Sequence, residues 1–130
     1  MTEDLGKMVL RITVGGLLLL HGMHKVLTGI APIKAMFAAH GIPEAAAYGV
    51  YLGEVVGPIM VLLGLFARVG GALIAVNMLV AVFLAGMAQA TSFNAMGGYA
   101  LELEAFYFWC GVAVMLLGSG RFSIGGGRWN

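Results

Sequence analysis

The chain has 130 residues, of which 61% are hydrophobic and only 10% are charged, and its net charge is +1. Soluble domains carry about 25% charged residues, so this composition, with a mean hydropathy of +0.97, indicates a protein whose solvent is a lipid bilayer. The small net charge gives no support for nucleic-acid binding or for electrostatic steering of an acidic partner.

Four apolar segments account for most of the chain, at about 5–27, 45–66, 68–90 and 101–117. Each comes close to the ~20 residues that a helix needs to cross ~30 Å of hydrocarbon. A barrel would need alternating segments of about ten residues, whereas a continuous apolar run satisfies its own backbone only as a helix. We therefore predict an all-α integral membrane protein with a single domain, residues 1–130, folded as an antiparallel bundle of four transmembrane helices.

A signal peptide is the rival interpretation of the first segment. Its start, Thr2-Glu3-Asp4, is acidic, and Arg11 interrupts the apolar run. The residues after Leu20 are His-Gly-Met-His-Lys rather than a small-residue cleavage site. We expect this segment to be retained as the first helix.

Helix one carries its polar residues on one face. At 100° per residue a narrow stripe forms, with His21 at its edge; its members are Arg11, Gly15, Leu18, Gly22 and Lys25. Ionisable side chains that face lipid cost ~2.5–3.5 kcal/mol on insertion scales, so this face should point into the bundle. Arg11 lies about four turns, ~20 Å, from Lys25 and is expected at the cytoplasmic interface.

The connections set the orientation. Between Pro32 and Pro43, the apolar run 33–39 predicts a short helix in the first outer loop that either lies on the membrane surface or caps the bundle. The second connection, around 67–68, is so short that helices two and three must form a hairpin. Five lysines and arginines fall on the side of the termini and two on the other side, which predicts cytoplasmic termini; these are Lys7, Arg11, Arg68, Arg121 and Arg128, against Lys25 and Lys34.

Helix two holds a carboxylate near the middle of its span. Gly49, Gly53 and Gly57 recur at intervals of four, which permits close approach of a neighbouring helix. Glu54 lies beside this seam, at a depth where a glutamate must be protonated or paired with a base. An intramembrane carboxylate of this kind is a candidate functional residue.

The predicted topology places several polar groups in the outer half of the bilayer, namely His21, Lys25, Glu54 and Glu104, with Asn77 and Gln89 of helix three as additions. Glu102 and Glu104 point about 200° apart on a helix, so only one of them can face inward. Glu104 is the inward candidate, because it shares a stripe with Phe108 and Gly111.

Metal binding has little support, because Lys25 would repel a cation and no Glu-x-x-His pair occurs.

Two further features are secondary. Cys110 lies inside an apolar helix and is expected to pack. The glycine-rich residues 118–130 cannot form a span, and they are either an interfacial tail with Arg128 and Trp129 at headgroup level or an unstructured end.

Taken together, these motifs resemble the DoxX family of small four-helix bacterial membrane proteins. The matching residues are Leu10-Arg11-Ile12, His21-Gly22, Lys25, Gly53-Glu54-Val55-Val56-Gly57, Leu63 to Arg68, Asn77-Met78, Glu104 and Gly118 to Ser123. The family commonly has an aspartate soon after the serine, where this chain has Ile124-Gly125-Gly126, which puts tail-mediated contacts in doubt. The resemblance implies an inner-membrane protein of redox systems, since relatives form subunits of thiosulfate:quinone oxidoreductases or join membrane oxidoreductase assemblies.

The leading hypothesis is a quinone-interacting membrane subunit. His21 and Glu54 would relay protons, and the quinone would bind at His21, Lys25, Glu54, Asn77 and Glu104. No electron carrier is evident, so a partner oxidoreductase subunit would be needed. One alternative is an anchoring subunit in which the same charges fix helix register, alone or as a homo-oligomer. Another is a transporter of a small solute or of protons.

Overall fold

The computed structural model describes residues 1–86, 97 and 101–130, and every regular element in this part of the chain is helical. Helix α1 is Thr2–Thr28, α2 is Ala31–Ala39, α3 is Glu44–Leu63, α4 is Ala67–Ala81 and α5 is Glu102–Leu117. A π-helical turn, Val82–Gly86, continues α4. The predicted all-α fold is confirmed.

Three of the described helices are long and apolar enough to cross a membrane: Thr2–Thr28, Glu44–Leu63 and Ala67–Leu84. Helix α5 has 16 residues, and the segment before it, which includes Gln89 and most of the predicted third loop, lies outside the described residues. A fourth span therefore stays a prediction.

Helix α1 buries the stripe that its periodicity predicts. Its buried residues are Arg11, Val14, Gly15, Leu18 and Gly22. Val14 and Leu18 join the main core with Val61 of α3, Ile74 of α4 and Val114 of α5. The polar residues of the stripe are therefore held next to the packed centre of the molecule.

Helix α3 is irregular around its glutamate. It starts as a 3₁₀ helix over Glu44–Gly49, forms a π-helical turn over Leu52–Val56 and becomes α-helical over Gly57–Leu63. Pro58 has no N–H to donate to the carbonyl four residues back, which is that of Glu54, and the N–H of Gly57 donates to Leu52, five residues back. Such π-helical turns re-aim side chains and are frequent at functional sites.

Glycines let α3 approach both of its neighbours. A Cβ atom on Gly22 would collide with the backbone of Glu54, and one on Gly53 would collide with the side chain of Asn77. Gly57 and Gly70 likewise face each other's backbone. The predicted small-residue seam is confirmed at Gly53 and Gly57. The prediction of a close contact is wrong at Gly49, which is exposed: a Cβ atom at this position would have no neighbouring atom within 4 Å.

Arg11 is buried inside the protein, and its predicted place at the cytoplasmic interface stays a prediction. Its side chain is 2% exposed. The guanidinium donates to the carbonyls of Val61 and Leu62 at the end of α3, at 3.0 and 3.4 Å, and to Ser119 and Phe122 of the tail, at 2.7 and 2.8 Å. The last carbonyls of a helix have no partner within the helix and carry the negative end of its dipole. These carbonyls therefore accept the N–H groups of the buried Arg11 guanidinium, which would have no acceptor if it faced lipid.

The tail is attached to the helix ends. Ile124 and Gly125 donate backbone N–H groups to Leu63 and Gly64, at 3.1 and 3.0 Å. The N–H of Arg68 donates to Trp129 at 3.1 Å, and the Arg68 guanidinium caps the end of α5 through the carbonyls of Met115 and Leu116. The expectation that tail contacts are in doubt is therefore wrong: the glycine-rich tail closes this end of the bundle.

Candidate functional site

Three of the predicted polar residues form one cluster, here called the polar triad: Lys25, Glu54 and Asn77. The Lys25 Nζ atom lies 2.5 Å from Glu54 Oε1, and Asn77 Nδ2 donates to Glu54 Oε2 at 3.3 Å. The Glu54 side chain is 8% exposed and that of Lys25 is 25% exposed. Both carboxylate oxygens thus have a donor, as a buried charge requires.

Local structure brings the triad together. Lys25 follows Gly22 by about one turn on the buried stripe, and the contact of Gly22 with the Glu54 backbone sets the distance between the two helices. The π-helical turn contains both Gly53 and Glu54. Because Gly53 has no side chain, Asn77 has room to reach the carboxylate from α4.

An apolar pocket of about 520 Å³ has the triad in its lining. Its walls come from α2, α3 and α4, and every lining residue outside the triad is apolar; these are Ile33, Met36, Phe37, Ala46, Gly49, Val50, Leu52, Gly53, Val69, Ala72, Leu73, Val76, Val80, Ala81 and Leu84. A volume of this size suits a small organic molecule, and a few polar groups in the lining of an apolar pocket would fix its orientation.

The pocket opens sideways. Leu52 of α3 is 52% exposed and Val76 of α4 is 58% exposed, although both line the pocket. Both residues lie on helices that are long and apolar enough to cross a membrane, so in a bilayer this side of the pocket would face hydrocarbon.

Helix α2 forms one wall of the pocket. Ile33, Met36 and Phe37 line it, and Phe37 is 8% exposed. The Nζ atom of Lys34 lies 4.5 Å from the centre of the Tyr48 ring at the start of α3. A side-chain hydrogen bond to Tyr48 raises the pKa of Lys34 above its ordinary value. The contact ties α2 to α3 and keeps the Lys34 charge outside the pocket lining.

His21 and Glu104 lie apart from the triad. The His21 ring is exposed, pairs its Nδ1 with the Leu17 carbonyl at 3.2 Å and meets the Tyr107 ring edge-on at 5.9 Å between centroids. Glu104 is half-buried in the first turn of α5. Among the described residues no hydrogen bond or ion pair joins either side chain to the triad, and neither lines the pocket.

Some participants were not predicted from the sequence. The Tyr51 hydroxyl donates to the Lys25 carbonyl at 3.3 Å and so holds the end of α1 against α3. Its position one turn before Glu54 is a signal that sequence reasoning could have used. The pocket walls on α2 were missed because an apolar run in a loop shows no preference between a lipid surface and a protein surface.

The donor inventory limits what the triad can do. A lysine ammonium carries three N–H donors and an asparagine amide two, and Glu54 takes one from each residue. The remaining donors suit a carbonyl oxygen of a molecule bound in the pocket. Within the described residues no group of three or more His, Cys, Asp or Glu side chains is arranged to hold a metal ion.

Comparisons with known proteins agree with the sequence resemblance. The DoxX family model matches residues 6–87, a range that contains the whole triad. A curated Bacillus subtilis (strain 168) protein named "Putative oxidoreductase CatD" is 27% identical over 104 residues, which cover 80% of this chain and 77% of the relative. No solved structure matches the chain. The family match extends over more than half of the sequence, and the chain belongs to the DoxX family.

Proposed function

We propose that the protein is a membrane subunit of a bacterial redox system that binds a quinone in the lateral pocket, with the headgroup at Lys25, Glu54 and Asn77. The observation that carries the proposal is the apolar pocket of about 520 Å³ whose lining contains a largely buried ion pair. The oxidoreductase name of the CatD relative points in the same direction.

The proposed arrangement has four antiparallel spans in the inner membrane, with α5 as the fourth and both termini in the cytoplasm. Contacts between the helices support it. Along α1 the contacts with α3 run in the opposite direction: Gly15 contacts Leu62, and the later Gly22 contacts the earlier Glu54. Helices α3 and α4 are antiparallel in the same way, because Gly57 contacts Gly70 and the earlier Gly53 contacts the later Asn77. The excess of lysine and arginine on the side of the termini supports the orientation.

The residues present fit a quinone. Lys25 and Asn77 offer N–H donors to a carbonyl oxygen, and the apolar walls suit an isoprenoid chain. A bound quinone would supply a two-electron, two-proton redox couple. Glu54 would hold a proton next to the headgroup and Lys25 would polarise a carbonyl, in a site of low dielectric where both effects are strong.

The proton relay proposed for His21 and Glu54 then depends mainly on Glu54, because only Glu54 lines the pocket. His21 would act from a distance, past Tyr107. Electrons would come from a partner oxidoreductase subunit, since none of the eighteen residues that line the pocket can replace a redox cofactor.

The test is quinone binding by the purified full chain in nanodiscs, measured by titration with decylubiquinone and by extraction and mass spectrometry of co-purified lipids. Asn77→Ala and Glu54→Gln should each weaken binding about tenfold, as expected for losing a hydrogen bond to a charged or buried partner. Glu104→Gln is the matched control, because it makes the same chemical change outside the pocket. Undiminished binding in both pocket variants, with folded protein confirmed by gel filtration, would overturn the proposal.

An anchoring subunit is the second candidate, and it has an observation of its own. Both oxygens of Glu54 are already paired within the chain, so the triad could serve only to fix the register of α1, α3 and α4. In that case the wild-type protein binds no quinone, and Glu54→Gln lowers stability in detergent or releases a partner complex. The hypothesis of a transporter has no comparable observation in its favour.

A further inference from the structure

A second cavity, here called the tail cavity, lies at the opposite end of the molecule from α2. It has a volume of about 400 Å³ and is formed by the first turns of α1 and α4, the end of α5 and the glycine-rich tail. Its lining is polar, unlike that of the lateral pocket, and five of its twelve lining residues are glycines. The quinone proposal assigns it no role.

The charged side chains that line the tail cavity are all basic: Lys7, Arg68 and Arg121. The guanidinium of Arg68 is fixed by the carbonyls of Met115 and Leu116, at 3.0 and 2.8 Å. Its positive charge is therefore held at the cavity wall. Lys7 is half-buried and Arg121 is exposed, and no side-chain hydrogen bond involves either residue within the described part of the chain, so their donors are available.

One carboxylate lies beside this group. Asp4 Oδ1 accepts the backbone N–H of Arg121 at 3.2 Å, but Asp4 does not itself line the cavity. A second carboxyl group, that of Asn130, lines the cavity and accepts the N–H and the hydroxyl of Ser119, at 2.6 and 2.8 Å. Three positive side chains thus outnumber two neighbouring negative groups. Convergent lysine and arginine donors of this kind recognise phosphate oxygens.

The location adds to the argument. The ends of three helices meet here, two of them long enough to span a membrane, so the cavity lies at the level of the lipid headgroups. Two hydrophobic tail residues next to it, Ile124 and Trp129, are 71% and 55% exposed. The Arg128 guanidinium stacks over the Trp129 ring at 5.2 Å, an arrangement suited to the membrane interface.

We propose that the tail cavity binds the phosphate group of an anionic molecule, supplied either by a phospholipid headgroup or by free phosphate. Lys7 and Arg121 contact the phosphate oxygens directly, and Arg68 contributes a fixed charge. The site is independent of the lateral pocket and of the quinone proposal.

The experiment uses the delipidated full chain in neutral detergent. It is titrated with phosphatidylglycerol, with diacylglycerol, which has the same chains without phosphate, and with inorganic phosphate, followed by native mass spectrometry and calorimetry. Lys7→Gln with Arg121→Gln removes two charges from the cavity. Lys34→Gln with Arg128→Gln is the matched control, because it removes two charges that do not line the cavity.

The cavity variant should weaken phosphatidylglycerol binding about tenfold or more, as attraction of two basic residues to an anionic headgroup predicts, while the control changes it less than twofold. If inorganic phosphate alone binds with the same dependence on Lys7 and Arg121, the ligand is free phosphate; if only phosphatidylglycerol does, it is the lipid. Three outcomes would overturn the proposal. They are equal losses of binding in both double variants, binding of diacylglycerol as tight as that of phosphatidylglycerol, and no binding of either phosphate compound.

Discussion

The ion pair of the triad can be tested by removing its two charges separately and together. Lys25→Met leaves the Glu54 carboxylate with Asn77 as its remaining donor, and Glu54 is only 8% exposed. Glu54→Gln leaves Lys25, which is 25% exposed and can turn its ammonium toward water or headgroups. The double variant has neither charge.

The magnitudes follow from burial. Removing one partner of a fully buried pair costs about 3–5 kcal/mol. Since the Lys25 side chain is only partly buried, we expect about 2–3 kcal/mol for Lys25→Met and about 1 kcal/mol for Glu54→Gln. The double variant should cost about 1 kcal/mol, because a neutral glutamine can still pair with Asn77. Adding Glu54→Gln to Lys25→Met should therefore restore stability.

The assay is unfolding by SDS titration in mixed micelles, with helix content followed by circular dichroism. A double variant that is as unstable as the sum of the two single variants, within about 0.5 kcal/mol, would show that the charges do not interact. The reasoning about the triad would then be refuted, whatever the pocket binds.

Three further predictions concern packing, capping and access. Gly22→Ala should destabilise the protein by about 1–3 kcal/mol because the new methyl group meets the backbone of Glu54, whereas Gly16→Ala, with open space at its Cβ, should be neutral in the same SDS titration. Arg11→Met should cost about 3 kcal/mol and expose the tail to limited proteolysis, since four carbonyl acceptors lose their donor; an unchanged cleavage pattern would contradict this. Val76→Trp should block the lateral opening and abolish decylubiquinone binding with little effect on unfolding, and retained binding would place the entrance elsewhere.

Much of the candidate site followed from the sequence. Glu54 was singled out because a carboxylate at mid-span needs a partner, and Lys25 because it falls on the stripe of Gly15 and Gly22. Asn77 was included as a polar residue in the outer half of α4. These inferences need only the depth of a residue in its predicted span and the 100° turn per residue of a helix. Both follow from the local sequence.

The separation of His21 from the triad did not follow. His21 lies at the edge of the stripe, and whether an edge residue turns toward α3 or toward α5 depends on how α1 is rotated against its neighbours. The contact between Gly22 and the Glu54 backbone fixes that rotation, and His21 then faces Tyr107. A single sequence contains no record of this contact.

Arg11 shows the same limit at the other end of α1. From the sequence, an arginine near the start of a membrane helix is expected to extend to the interface. In the structure the end of α3 and the folded tail offer it four carbonyl groups, and those acceptors come together only when segments about 50 and 110 residues away along the chain are in place.

The sequence by itself determined that this is a helical membrane protein with a buried polar stripe on α1 and an intramembrane glutamate, because hydropathy and the 100° period act residue by residue. Only the tertiary structure decided which polar groups meet, that they line an apolar pocket, and that the glycine-rich tail caps the bundle. These features depend on close backbone approaches at Gly22 and Gly53 and on the π-helical turn before Pro58, where the packing of one helix against another sets the direction of each side chain.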